Sequence, residues 1–248
     1  MNVAVEEQVS NSHSGLPIEC RPDFLQHSLI LLGAVSILFA AVPELDMIVS
    51  RLFWTESTGF GLGKNGLLLL VRDTNRPLPW VVVGIMMVLM LAARFIHRMK
   101  HPPSPHKILY VITFFAVGPG LAVHLIKSVV GRARPRSVLE FGGNSVFTPP
   151  WELTDQCSHN CSFVSGEAAS AFALLTLVVF IGPKRAPFYL AAMGVVVFVF
   201  SFNRVMFGAH FLSDVLLAWN VMWVLAILLW RWFSTNAPQI DAAFGRRR

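Results

Sequence analysis

Six stretches of almost uncharged, apolar residues dominate this chain: Phe24 to Val42, Trp80 to Ile96, Ile108 to Ile126, Ala168 to Ile181, Phe188 to Phe202 and Phe211 to Trp232. An α-helix rises about 1.5 Å per residue, so roughly 20 apolar residues cross a hydrocarbon core of about 30 Å. Most of the runs reach that length. The fourth and fifth are short, and the fourth needs neighbouring residues such as Ser165 to Glu167 to complete a crossing. Buried core helices of a soluble domain would also be apolar. However, 54% hydrophobic against 14% charged residues departs from the half-apolar, quarter-charged mix of soluble domains. The expected fold is all-α: a polytopic membrane protein built as a six-transmembrane-helix bundle. No internal repeat is visible, and the spans leave no room for a second domain. Residues 1–248 therefore read as one domain, with a tail at 1–23, a six-helix core at 24–233 and a basic tail at 234–248. The polar opening, with Glu6 and Glu7, lacks the basic start of a secretory signal and is expected to stay attached.

Arg94, Arg98, Lys100 and Lys107 flank the turn between the second and third runs, and Lys184 and Arg185 occupy the turn between the fourth and fifth. The positive-inside rule makes both turns cytoplasmic. Both termini follow them inside, in agreement with Arg246, Arg247 and Arg248, and the net charge of +6 suits an anionic bilayer. The opposite side also carries many cations, including Lys64, Arg72, Arg76, Lys127, Arg132, Arg134, Arg136 and Arg204, which need another explanation. Cys20 falls on the inner tail, whereas Cys157 and Cys161 share an outer loop. A disulfide suits that loop; the alternative, a metal site with His159, lacks a fourth ligand nearby. Between Pro43 and Leu78, apolar and charged residues alternate as interfacial helices do.

Ionisable groups beside membrane spans are costly and tend to mark function or pairing. Three segments concentrate them. Lys127 ends the third run and is followed by Gly131-Arg132-Ala133-Arg134-Pro135, cations that either surround a phosphate or contact lipid headgroups. Gly118-Pro119-Gly120, just before, is expected to bend or loosen that helix. Ser162 to Glu167 leads into the fourth run, so Ser165 can cap a helix whose free N–H groups attract phosphate; an ordinary N-cap would look the same. In the third segment Arg204 ends the fifth run and His210 opens the sixth, with Asp214 four residues on. On a helix that spacing stacks the two side chains, so the carboxylate holds one ring nitrogen and leaves the other free to attack.

Together these segments resemble the type 2 phosphatidic acid phosphatase superfamily, whose pattern is Lys-x6-Arg-Pro, then Pro-Ser-Gly-His, then Ser-Arg-x5-His-x3-Asp. Lys127, Arg134 and Pro135 match the first block, Ser165 and Gly166 the centre of the second, and Arg204, His210 and Asp214 the third. The resemblance implies that Lys127, Arg134 and Arg204 hold the phosphoryl oxygens, with help from Ser165 and the Gly166 N–H. It further implies that His210 attacks phosphorus while Asp214 fixes the tautomer of the ring, with no metal or cofactor. Val164, Asn203 and Glu167 stand where the pattern has proline, serine and histidine. That histidine is the family's general acid, a task Glu167 can perform only when protonated. A weak acid suits an easily departing group such as an anomeric oxygen, so the variant resembles the lipid A 1-phosphatase group of Gram-negative bacteria. The implied protein is a metal-independent lipid phosphatase of the bacterial inner membrane with its site facing the periplasm. The expected partners are a phosphorylated lipid, lipid A first, and the anionic bilayer, with no nucleic acid. Phosphatidylglycerophosphate or undecaprenyl diphosphate phosphatases, a lipid phosphotransferase, and a non-catalytic lipid-binding or transport protein are the alternatives.

Overall fold

A computed structural model describes residues 22–95 and 102–244. Glu6, Glu7, Cys20, Arg98, Lys100 and Arg246 to Arg248, which entered the reading of the tails and of orientation, lie outside the described residues. The helices are α1 (Pro22–Ala41), α2 (Glu44–Arg51), α3 (Gly66–Asn75), α4 (Leu78–Phe95), α5 (Pro105–Phe115), α6 (Val123–Val130), α7 (Gly166–Ala173), α8 (Ala186–Met206), α9 (Leu212–Thr235) and α10 (Ala237–Phe244). Among the described residues no strand extends beyond isolated bridges.

Among the described residues, five helical stretches are long and apolar enough to cross a membrane: Asp23–Ala41, Gly66–Phe95, Pro105–Ser137, Ala186–Met206 and Leu212–Thr235. The fourth apolar run gives a shorter stretch, Gly166–Phe180. Its second half, Leu174–Phe180, is a 3-10 helix. At about 2.0 Å per residue there and 1.5 Å in α7, it reaches roughly 26 Å, close to a hydrocarbon thickness. The second span begins earlier than hydropathy suggests. α3 leads almost directly into α4 across Arg76 and Pro77, so a segment expected at the interface prolongs the span.

Large apolar side chains such as Ile37, Val88, Phe188 and Val195 face outward, as lipid contact demands. The interior forms where α5, α7 and α9 meet, around Ile108, Phe114, Leu217 and Met222. α7 lies at the centre because its buried face is nearly all alanine: Ala168, Ala169, Ala171 and Ala173 have no exposed surface. Small side chains let helix backbones approach closely, and van der Waals contact then replaces the hydrophobic drive that lipid does not provide. Pro119 lacks an N–H and its ring crowds the carbonyl four residues back. The chain answers with a π-helical stretch, Ala116–Ala122, between α5 and α6, which is the loosening expected there.

Because successive spans alternate in direction, the end of α6, the start of α7, the end of α8 and the start of α9 gather at one end of the bundle. At the other end α10, within the segment read as a basic tail, folds back on α5. There His106 donates its backbone N–H to Asp241 at 2.9 Å and pairs with it through the ring at 2.8 Å.

Candidate active site

Local backbone chemistry delivers each side chain. α6 stops at Gly131, which adopts a left-handed φ of +66°. A Cβ there would lie 2.0 Å from the Thr154 carbonyl oxygen, so only glycine fits. That stop leaves Lys127 one turn inside the helix and sends Arg132 and Arg134 into the following loop. Ser165 caps α7, its Oγ accepting the Ala168 N–H at 3.2 Å. Its own N–H donates to the Asp214 carbonyl at 3.1 Å, which ties α7 to α9. Gly166, the first residue of α7, lines the cleft with an N–H that no earlier helical carbonyl can accept. α8 closes at Gly208, φ +58°, over which the Phe60 ring packs so tightly that an added Cβ would meet it at 2.4 Å.

His210 departs from the expectation. It does not open a helix; α9 begins at Leu212, and His210 sits in the preceding turn with its N–H donated to the Arg204 carbonyl at 3.3 Å. Helical stacking therefore does not pair it with Asp214. Instead Asp214, in the first turn of α9, reaches back and accepts the Phe211 N–H at 2.8 Å. This brings its Oδ2 to 3.6 Å from His210 Nδ1. The Ser162 hydroxyl donates to Asp214 Oδ2 and lies 3.5 Å from the same ring nitrogen. His210 and Asp214 are both fully buried.

The other ring nitrogen, Nε2, faces Glu167 Oε2 at 3.4 Å, while Glu167 Oε1 pairs with Arg204 Nη2 at 3.2 Å. Arg204 Nε and Nη1 are buried with no hydrogen-bond partner among the described residues. Lys127 Nζ donates to the Cys161 carbonyl, and to that of Ser162 at 3.3 Å. Arg134 donates Nε at 3.1 Å and Nη2 at 2.9 Å to the Asn160 carbonyl, and Nη2 at 2.8 Å to the Asn160 side chain. A disulfide joins Cys157 and Cys161 in that loop, so neither sulfur is available for the alternative metal site with His159. A cleft of about 510 Å³ lies beside these groups, lined by Lys127, Asn160, Gly166, Glu167, Arg76 and His124. Every site residue named from the sequence, Lys127, Arg134, Ser165, Gly166, Glu167, Arg204, His210 and Asp214, is thus brought to one end of the bundle.

Sequence reasoning missed four residues. Arg132, grouped there with cations around a phosphate, is fully buried and already occupied. It donates Nε to the Thr148 carbonyl at 2.7 Å, Nη1 to Ser213 Oγ at 2.8 Å and to Asp214 at 2.6 Å, and Nη2 to Asp46 at 2.9 Å. Asp46 and Ser213 complete that cluster and Ser162 the other side of Asp214. Burial pushes the Asp46 carboxyl above its ordinary value; Arg132 pulls it down, and the Asp214 charge adds to the rise. The one signal for Asp46 was an acid just past the first span; nothing in residue order joins it to Arg132, 86 positions away.

A helical membrane bundle that sets a carboxylate-backed imidazole beside a lysine, two arginines and an adjoining cleft has the parts of a phosphoryl-transfer site. The PAP2 superfamily pattern matches residues 106–238, and the chain belongs to that superfamily. It is a membrane phosphatase, a phosphoric monoester hydrolase. Relatives named lipid A 4'-phosphatase come from Rhizobium leguminosarum, 32% identical over 79% of this chain and 91% of the relative, and from Francisella tularensis subsp. novicida, 29% identical over 82% and 96%. A third, from Rhizobium etli, is 32% identical over 86% of this chain and 90% of its own. Among solved structures, a transmembrane PAP2-type phosphatidylglycerolphosphate phosphatase from Bacillus subtilis shares the fold. Its TM-score is 0.54 at 16% identity, over 84% of this chain and 95% of that one.

Proposed function

We propose that this protein hydrolyses the 4'-phosphate of lipid A through a phosphohistidine on His210, at the periplasmic face of the bacterial inner membrane. The observation that carries the proposal is the two-sided setting of the His210 ring: Nδ1 backs onto Asp214 and Ser162, while Nε2 points at Glu167 beside Arg204. Nε2 attacks phosphorus from that side. Lys127 and Arg134 exchange the loop oxygens they now hold for phosphoryl oxygens, and Arg204 offers its two unpartnered nitrogens. The N–H of Gly166 at the start of α7, with Ser165, adds to this cradle.

Glu167 carries the proton. It takes the proton from Nε2 as the ring becomes a nucleophile and delivers it to the sugar oxygen as the P–O bond breaks. Water then attacks the phosphohistidine, Glu167 accepts its proton, and the P–Nε2 bond opens to release phosphate. Asp214 stabilises the ring while it is cationic. The preference for an anomeric 1-phosphate assumed a poor acid at this position. The names of the relatives support the 4' position instead. The outward face follows from the positive-inside rule: the site lies at the bundle end opposite the turn containing Lys184 and Arg185.

The test uses lipid A carrying radiolabelled phosphate at either the 4' or the 1 position, turned over by detergent-solubilised full-length protein with and without chelator. Wild type should release the 4' label alone, with the chelator without effect, and His210→Ala should release none. Release of the 1 label alone would reverse the position while keeping the mechanism. Undiminished release by His210→Ala would overturn the proposal.

A further inference from the structure

We infer that Asp46 and Arg132 are positioning residues for the reaction, a buried relay from α2 that sets Asp214, and through it His210, in place. The inference rests on the reading of His210 as nucleophile. Three observations carry it.

First, Arg132 is fully buried and committed away from a substrate, with four of its five N–H donors taken. All three of its guanidinium nitrogens donate, to Thr148, Ser213, Asp214 and Asp46, and its Cζ lies 4.4 Å from the centre of the Phe211 ring. It therefore differs from Arg204, whose Nε and Nη1 are unpartnered. The planar fork of arginine suits this task, since it binds two carboxylates at once with fixed geometry, which a lysine cannot do.

Second, Asp46 caps the catalytic helix from outside. Phe211, the residue before α9, has no side-chain acceptor for the free N–H groups of the first turn. Asp46 Oδ1 accepts the Ser213 N–H at 2.8 Å, and Oδ2 accepts the Ser213 hydroxyl at 2.5 Å as well as Arg132. The start of α9, which holds both Asp214 and the turn carrying His210, is thus pinned to α2. Asp46 lies outside residues 106–238, so the superfamily pattern assigns it nothing.

Third, the cluster is unbalanced. Two buried carboxylates face one guanidinium, and all three side chains are fully buried. An uncompensated buried charge is costly unless a partner appears. Asp214 also faces the His210 ring, which is neutral once Glu167 has taken the Nε2 proton and cationic again when Nε2 bonds phosphorus, so the excess negative charge favours the phosphohistidine over the neutral nucleophile.

Asp46→Asn tests the inference, because asparagine keeps the size and an acceptor for the Ser213 N–H while removing the charge. The full-length variant should lower kcat by about 10- to 100-fold, as small misplacements of reacting groups do, with KM for the lipid unchanged. In an Asp214→Asn background the same substitution should cause no further loss, because Asp46 acts through Asp214. An equal kcat loss in both backgrounds, a change confined to KM, or wild-type kcat would overturn it. Should Asp46→Asn not accumulate as folded protein, Ser213→Ala, which deletes the hydroxyl between Asp46 and Arg132, carries the same test with the same outcomes. His210→Ala run alongside separates the two claims. Activity in His210→Ala sinks the nucleophile itself, whereas an inactive His210→Ala beside a fully active Asp46→Asn sinks only the relay.

Discussion

Replacing Glu167 with glutamine changes one property of the site, its ability to carry a proton. The side chain is largely enclosed, at 23% exposure, with one oxygen 3.2 Å from Arg204 and the other 3.4 Å from His210 Nε2. Glutamine fits the same space. General acid catalysis contributes roughly 10²–10⁴-fold, about 2.7 to 5.5 kcal/mol of barrier, and kcat on the lipid should fall within that range. KM should not rise. At 3.2 Å the carboxylate attracts the guanidinium with a gross energy of about 5 kcal/mol at an effective dielectric near 20, which an incoming phosphate must compete against. A neutral amide removes that competition, so KM should stay level or drop. The decisive comparison uses a second substrate, p-nitrophenyl phosphate, whose leaving group departs without protonation. Initial rates in detergent micelles should show a far smaller kcat loss for the aryl ester than for the lipid. Equal losses on both substrates, or none on the lipid, would refute the assignment of Glu167 as the acid that protonates the leaving oxygen.

Arg204→Lys should keep the charge but lose the two unpartnered nitrogens, lowering kcat by about 10²–10³-fold, read by the same assay. Gly131→Ala should destabilise the fold by at least about 1–2 kcal/mol from the left-handed backbone alone, with the Thr154 carbonyl clash adding to it; thermal unfolding in detergent measures this. Asp46 gives a pH signature. Its carboxyl sits above the ordinary 3.8 in the folded protein, so in the window above 3.8 the folded state binds a proton that the unfolded chain does not. Stability of wild type relative to Asp46→Asn should therefore be greatest at low pH and decline as pH rises through the raised value.

The spans and the motif were legible because both are written in short-range order. Hydropathy over about 20 residues marks a crossing whatever surrounds it, and Lys127 to Arg134 or Arg204 to Asp214 are spacings within one segment. Boundaries were less legible: α3 extends the second span although Arg72, Asp73 and Arg76 read as interfacial. The setting of His210 was misread for a local reason. Gly208 in a left-handed turn delays α9 to Leu212, and spacing alone does not distinguish a helical pair from a helix reaching back to its own entry turn. The Arg132 and Asp46 relay was not legible at all. It joins a loop after α6 to a helix 86 residues earlier, and a basic run at a membrane edge reads the same whether a given arginine meets phosphate or a buried carboxylate.

The most direct measurement is to trap the intermediate. Full-length protein is mixed with lipid A radiolabelled in its phosphate, quenched in alkali within a turnover, digested and mapped. A phosphoryl group that survives alkali, is released by acid and resides on the peptide containing His210, absent from His210→Ala, is the expected result. Product phosphate formed with no label on His210, or label on another residue at full turnover, would contradict the account.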